Sequence, residues 1–468
     1  MVAGDPHRMA GKKRAGMPMK TKPKVLIVSE NASMMFGGEA SLPWHYFTRL
    51  RGRGVDTWLV VHERTRAELA RLAPEALDRI HFIPDNRFNI VCWKMGAKMP
   101  AQLGDITFGY ASRIANQIEA RRIVRRLVRE HGIGVVHQPI PVSPREPSLM
   151  VDVGAPVVMG PMNGNMSYPP AMKAKAGGAV QKILGSARTL SNHVHGLMRG
   201  KREAALLLVA NQRTRLGLPP KCRGAVVELV ENGIDTELWQ PRSVALSGTA
   251  GGMRLLFLGR LVDWKAVDIV LEALGRLPPH GGVTLDIIGD GPMRQPLQAL
   301  TEQLGLGELV RFHGFLPQPE CAAAMRNADA LVLPSLYECG GAVVLEAMAA
   351  GVPVIATAWG GPLDYLDASC GILIEPTSRD DLVAGFAAAI GQLASQPERR
   401  AAMGQAGRNR ALRNFDWDDK ISRMLVLYEA VAAGRPITDA DVEPIRPADR
   451  LVPVSYTHLR AHETLRYL

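Results

Sequence analysis

From residue 253 onward, short apolar runs and amphipathic stretches alternate in a rhythm that few folds can accommodate. Runs at 254–258, 284–288, 310–312, 330–333 and 352–356 are separated by helical patterns at 267–277, 293–304, 319–327 and from 342. Strands that continuous in apolar character are buried on both faces, and the intervening helices are long enough to return the chain for parallel pairing. A parallel, helix-covered sheet follows. Several of its strands end in glycine-bearing turns, Gly259, Gly289 and Gly340-Gly341 among them, on the edge where open α/β sheets bind ligands.

The N-terminal half shows the same grammar less densely. A buried strand is predicted at 23–29, a glycine turn at Phe36-Gly37-Gly38-Glu39-Ala40, a helix to about Arg51 and a second strand at 54–61. Residues 114–131 form an Arg-rich amphipathic pattern read as a surface helix. A short strand at 134–139 carries His137 at its carboxyl edge. It is a candidate for the acceptor side of a cleft and equally a structural histidine. The run at 157–162 leads to Asn163, whose amide can orient a hydroxyl or cap a turn. Strands at 206–211 and 224–230 close this half.

A chain of 468 residues is about three times a ~150-residue domain. The expected division is a basic leader (1–21), an N-terminal Rossmann-like domain (22–230), a C-terminal Rossmann-like domain (231–411), an amphipathic helix (412–433) and a tail (434–468). Residues 454–464 read as a translated library adaptor, so their two histidines are not read as ligands.

Composition narrows the classes. Hydrophobic content of 47% and charged content of 22% are those of a globular protein, without an apolar run of the ~18 residues that a membrane span requires. Five scattered cysteines lack C-x-x-C spacing, which argues against a disulfide framework or zinc site and fits a reducing, cytoplasmic setting. The net charge of +11 is concentrated. Five basic residues accompany Asp5 in the leader. Lys173, Lys175, Lys182, Arg188, Arg199, Lys201 and Arg202 occur without an acid in 170–202, and basic and acidic residues balance elsewhere. This favours peripheral contact of that stretch with an anionic membrane surface over nucleic-acid binding. A solvated loop is the plain alternative.

Chemistry concentrates between 231 and 375. Glu338 and Glu346 flank Cys339-Gly340-Gly341-Ala342-Val343-Val344-Leu345, so one carboxylate lies on a loop and the other in the first turns of the helix that the glycines open. Such a pair can hold sugar hydroxyls and a ribose diol while the helix N-terminus faces phosphate; a capped surface helix with incidental glutamates is the bland alternative. Arg260 and Lys265 follow the strand at 254–258, where a guanidinium and an ammonium can both reach diphosphate oxygens.

The string Glu338-Cys339-Gly340-Gly341-Ala342-Val343-Val344-Leu345-Glu346 resembles the E-x7-E motif of the family-4 retaining glycosyltransferases of the GT-B fold. Asn232-Gly233-Ile234-Asp235, Gly259-Arg260-Leu261 with Lys265, Gly289-Asp290-Gly291-Pro292 and Gly351-Val352-Pro353 occur in that family's order. The resemblance is specific over 231–375. Cys339-Gly340, Ala266 and Asp364 depart from it, in positions that bear on the identity of the sugar.

The resemblance implies two Rossmann-like doubly wound domains facing across a cleft, 22–230 on the acceptor side and 231–411 binding the nucleotide sugar, with the helix at 412–433 crossing back to the first, and transfer from a UDP- or GDP-linked sugar to a lipid-linked or polysaccharide acceptor. Glu338, Arg260, Lys265 and His137 would form the catalytic set. Gly37, Gly38, Gly259, Gly289, Gly340, Gly341, Ala342, Val343 and Glu346 would bind the donor, and Asn163 would lie on the acceptor side. No metal or other cofactor is expected, since cations and backbone N–H groups would stabilise the leaving diphosphate. A peripheral location at the inner face of the cell membrane is implied. The alternatives are a nucleotide-sugar epimerase on the same fold and a degenerate nucleotide-sugar-binding partner protein.

Overall fold

The computed structural model describes residues 22–35, 38–98, 105–172, 199–242, 252–278 and 282–442. Two wholly parallel sheets organise them. Strands β1 (Val25–Val28), β2 (Thr57–His62), β3 (Ile80–Ile83), β4 (Val135–Gln138), β5 (Val157–Met162), β6 (Leu206–Val209) and β7 (Ala225–Glu228) form the first, in the order β3-β2-β1-β4-β5-β6-β7. Strands β8 (Met253–Leu258), β9 (Val283–Ile288), β10 (Val310–Gly314), β11 (Ala330–Leu333), β12 (Val354–Thr357) and β13 (Gly371–Ile374) form the second, ordered β10-β9-β8-β11-β12-β13. Both orders reverse direction beside their first strand, between β1 and β4 and between β8 and β11. That crevice is where open α/β sheets accept ligands.

The apolar runs explain why these strands are interior. In β1, Val25 and Ile27 join one core cluster while Leu26 and Val28 join another on the opposite face. Each face therefore needs a helical cover. One face is covered by the helix Tyr110–His131, which buries Ile123, Val124, Leu127 and Val128; Ile118, on the same predicted apolar side, is 45% exposed. The other receives the helix Gly38–Gly52 and the helix Trp417–Ala432.

That last helix follows the second sheet in sequence yet packs Trp417, Ile421, Met424, Leu427, Tyr428 and Val431 into the first domain's core. The two crossings between domains run side by side, with a parallel bridge joining Ile234 and Asp416. A Cβ at Gly233 would lie 2.8 Å from the Trp417 ring, so the indole occupies the space that a side chain there would need.

Among the elements without a sequence signal strong enough to read are β3, β13, and the paired helices Arg379–Ser395 and Pro397–Asn414. β3 is an edge strand with half-buried His81 and Phe82, and three of the four residues of β13 are only partly buried, so neither shows the fully buried run of the central strands. The leader 1–21, Gly37, most of the acid-free stretch (173–198) and residues 443–468 lie outside the described residues. The described end of that stretch is not a free basic surface. Lys201 is buried and its Nζ donates to the carbonyls of Ser143 and Pro144, each at 2.8 Å, and of Glu146. Arg199 pairs with Asp152 and Glu203. Among the described residues no helix is long and apolar enough to cross a membrane.

Candidate active site at the carboxyl rim of the second sheet

The switch-point strands β8 and β11 each release a loop into the crevice. After β8, Gly259-Arg260-Leu261-Val262 leads to a single 3-10 turn, Asp263–Lys265. Ala266 then adopts φ +50°, a left-handed conformation that glycine takes without strain. After β11, the loop 334–341 carries Glu338. The two loops are tied together, because Leu336 donates its N–H to the Trp264 carbonyl at 2.8 Å. The tie brings the Lys265 ammonium into a direct hydrogen-bonded ion pair with the Glu338 carboxylate, both side chains mostly shielded.

The glycines in this rim are required by close approach. Gly341 has φ +74° and caps the helix Ala342–Ala349, and a Cβ there would press to 3.1 Å from Glu338 Cγ. A Cβ on Gly340 would stand 2.1 Å from a Glu231 carboxylate oxygen. Gly360 approaches the Glu338 carbonyl as closely, and that carbonyl accepts the Gly361 N–H at 2.7 Å. Gly289, with φ +135°, leaves the space that the Gly259 carbonyl fills. Gly259 and Gly289 thus build the rim by backbone packing.

No side chain caps the helix at Gly341, so its first-turn N–H groups, from Ala342 and Val343, remain for a ligand to satisfy. The other domain's glycine turn comes to meet it: a Cβ on Gly38 would lie 3.9 Å from Ala342 Cβ. Two helix N-termini therefore converge across the crevice, with Glu39 in the first turn of the second. Burial, together with the charges of Glu231, Glu146 and Glu338, raises the Glu39 carboxyl to about 7. Although Glu39 keeps solvent access at the cleft mouth, this carboxylate-rich surrounding disfavours its ionised form.

The remaining residues separate clearly. Arg260 is exposed and joins no ion pair among the described residues. Glu346 sits four residues into the same helix, half-buried and with no hydrogen-bond partner for its carboxylate among the described residues; burial pushes its carboxyl up to about 7.

His137 does not face the crevice. It is fully buried, its Nε2 is 2.6 Å from the Gly160 carbonyl and its Nδ1 is 2.7 Å from the Tyr428 hydroxyl. Nε2 donates to the carbonyl, which leaves Nδ1 to accept from the tyrosine. Burial lowers its pKa to about 4, so the ring is neutral and anchors the crossing helix.

Asn163 is likewise occupied. Its amide donates to Glu231 at 3.0 Å and its oxygen accepts from Arg213 at 3.0 Å, inside a polar network joining the two domains. Arg213 continues to Asp364 at 3.3 Å, Asn211 donates to Asp364 at 2.8 Å, and Asn232 bridges Glu231 and Tyr365. Lys420 of the crossing helix donates to the carbonyls of Glu231 and Asn232. Burial raises Asp364 to about 7 and lowers Lys420 to about 7. Sequence reading named Asn163, Asn232 and Asp364 singly and missed the network that joins them to Glu231, Arg213, Tyr365 and Lys420, because its members are spread over residues 163–420 and share no spacing.

Two D-x-D spacings occur in the chain. Asp416 caps the helix Trp417–Ala432 while Asp418 pairs with Arg49 and Arg53, and Asp441 is held by Arg435. Neither pair is engaged with the Lys265–Glu338 rim.

Two Rossmann-like domains facing across a crevice, exchanging a C-terminal helix, define the GT-B fold. Residues 250–410 match the family described as glycosyl transferases group 1. The chain is 33% identical over 240 residues to a D-inositol 3-phosphate glycosyltransferase of Thermomonospora curvata, covering 47% of this chain and 54% of that protein. It is 34% identical over 218 residues to a GDP-mannose-dependent alpha-(1-6)-phosphatidylinositol monomannoside mannosyltransferase of Mycolicibacterium smegmatis, covering 43% and 56%. The chain thus spans about half the length of these curated relatives. Anabaena HepE, solved with UDP and glucose, superposes with a TM-score of 0.60 at 17% identity, covering 88% of this chain and all of that one.

Proposed function

We propose that this chain is a retaining glycosyltransferase that moves a hexosyl group from a UDP- or GDP-linked sugar to a lipid-linked or polysaccharide acceptor in cell-surface polysaccharide biosynthesis. The observation that carries the reading is the Lys265–Glu338 pair beside the open helix N-terminus at Gly341. A nucleotide sugar joins an anionic diphosphate to a hydroxyl-rich ring through one bond. A cation and a carboxylate in contact match that polarity, the ammonium toward the diphosphate and the carboxylate toward the ring hydroxyls.

In this reading Arg260, Lys265 and the N–H groups of Ala342 and Val343 stabilise charge developing on the β-phosphate as the anomeric carbon becomes oxocarbenium-like. The bond from C1 to the phosphate oxygen breaks, the acceptor oxygen bonds to C1 on the same face, and its proton passes to the leaving phosphate. Glu346 holds the ribose diol, and Gly38 closes over the diphosphate from the other domain. Cations and amides supply the stabilisation without a metal. His137 holds the fold rather than the substrate. The protein acts in the cytoplasm, peripherally at the inner face of the membrane.

An epimerase on this fold would want histidines and carboxylates at the anomeric face, and His137, at the carboxyl edge of β4, is buried away from it. Incubation with a panel of radiolabelled nucleotide sugars and glycan or lipid acceptors tests the reading. Transfer of label to an acceptor with the anomeric configuration kept is the expected result. Conversion of one nucleotide sugar to another, or donor binding without product from any combination, would overturn it.

A further inference from the structure

The helix Arg87–Gly96 turns large apolar side chains outward. Among its described side chains Asn89 and Cys92 are buried, 6% and 4% exposed, whereas Phe88, Ile90, Val91 and Met95 stand outward at 52%, 45%, 55% and 45% exposure. Hydrogen bonds through Asn86 and Asn89 help to hold it down. Asn86 caps it by accepting the Asn89 N–H at 2.8 Å, and the Asn89 amide donates to Asn116 at 2.5 Å and accepts from Ser112 at 3.1 Å. A helix ordinarily turns its apolar stripe to the core and its polar face to water. Exposing several large side chains on one short helix is the pattern of a surface that meets another apolar phase.

Charge identifies that phase. Residues 86–104 contain Arg87, Lys94 and Lys98 and no acid, and all three cations are exposed. Helical spacing sets Arg87 and Lys94 in the middle of the outward face, between Ile90 on one side and Val91 and Met95 on the other. A second copy of the chain docking here about a twofold axis would set these cations against their own equivalents. An anionic bilayer instead receives the apolar side chains among its acyl chains while the long basic side chains extend to the phosphates.

We infer that the helix Arg87–Gly96 lies in the interface of an anionic lipid bilayer and docks the N-terminal domain on it. The helix follows β3 at the carboxyl edge of the sheet, the edge that faces the crevice. From Asn89 the hydrogen-bonded chain continues through Asn116 to Glu30, in the loop after β1. Docking there sets the first domain's crevice rim against the lipid, so the acceptor is an amphiphile whose headgroup rises from the bilayer into the cleft. This acceptor assignment rests on the transferase reading; the docking does not.

The test is co-sedimentation of the full chain with phosphatidylcholine vesicles, with and without phosphatidylglycerol, at low and high salt. The wild type is expected to bind the phosphatidylglycerol vesicles. The triple variant Phe88→Ser, Val91→Ser, Met95→Ser is expected to lose at least about tenfold in affinity at either salt. The triple variant Arg87→Gln, Lys94→Gln, Lys98→Gln is expected to lose the preference for phosphatidylglycerol and the salt dependence. Phe88→Trp, which keeps an apolar ring and the fold, is expected to bind at least as well as the wild type. Wild-type protein that ignores both vesicles, a serine variant that binds undiminished, or a wild-type dimer that the serine changes convert to monomer without any vesicle binding would overturn the proposal. Vesicle binding with no transfer from any donor would break the transferase reading and leave the docking standing.

Discussion

The two halves of the molecule use the same fold and opposite strategies. In the second domain the groups that would meet a donor lie within one switch point: Arg260 and Lys265 after β8, Glu338, Gly341 and Glu346 after β11. Each loop is short, and its residues are neighbours in sequence. In the first domain the polar residues at the corresponding strand ends, His137 and Asn163, turn inward and bond to the crossing helix and to the other domain. A donor common to many reactions can be held by local motifs. The junction that sets the cleft is assembled from distant segments.

The difference can be broken most decisively at the cations. If Lys265 and Arg260 act as proposed, on the leaving diphosphate, Lys265→Ala or Arg260→Ala should lower turnover by ~10²-fold or more with the fold intact. Steady-state kinetics with saturating donor measures it. Near-wild-type turnover in either variant would remove that residue from the donor clamp.

The junction should respond in stability rather than in chemistry. Arg213→Ala removes the guanidinium beside buried Asp364, and breaking a buried ion pair costs ~3–5 kcal/mol when the remaining charge stays ionised. Because burial already raises Asp364 to about 7, protonation relieves part of this, and a loss of about 2–3 kcal/mol is expected. Denaturant unfolding at pH 8 and pH 6 checks both parts, since the loss should shrink at the lower pH. An unchanged midpoint at pH 8 would show that the pair does not fasten the domains.

His137 sharpens the same contrast. His137→Phe keeps the ring's volume but strands the Gly160 carbonyl and the Tyr428 hydroxyl in the core. Stability should drop by about 1–3 kcal/mol, while turnover of the folded fraction stays within a few-fold. A ~10²-fold loss of turnover at unchanged stability would return this histidine to the catalytic set.

These residues also show where sequence reasoning stops. The parallel sheets were legible because strands buried on both faces are continuously apolar, as in Val25–Val28 and Ala330–Leu333. The glycines of the second sheet's rim were legible because they answer to backbone approach within a few residues, as Gly341 does to Glu338. His137 was not, since a strand-end histidine has the same spacing whether it faces a cleft or Tyr428, a residue 291 positions away. Glu231 and Lys420 escaped for the same reason, because nothing local marks a side chain whose partners lie in other segments. The helix Arg87–Gly96 was not read from the sequence at all, and helical periodicity would not have said which way its apolar side chains point.

Glu346 gives the smallest and most discriminating effect, because one carboxylate should influence stability and donor binding in opposite directions. Burial raises its carboxyl from 4.5 to about 7, so between those values the folded chain holds a proton that the unfolded chain has lost. Its contribution to stability therefore falls as pH rises through this window and stays at its lowest above it. Glu346→Gln should match the wild type near pH 4.5 and exceed it at pH 8 by on the order of 1–2 kcal/mol, allowing for residual solvent screening. A ribose diol donates its hydrogen bonds best to the ionised form, so donor affinity in the wild type should instead improve as pH rises through about 7. In the glutamine variant that dependence should vanish, with the donor KM roughly tenfold higher at pH 8 and kcat changed less. Thermal melts and donor KM across pH 5–9 read both effects, and a loss confined to kcat would make Glu346 a group that acts on the transition state rather than on the ribose.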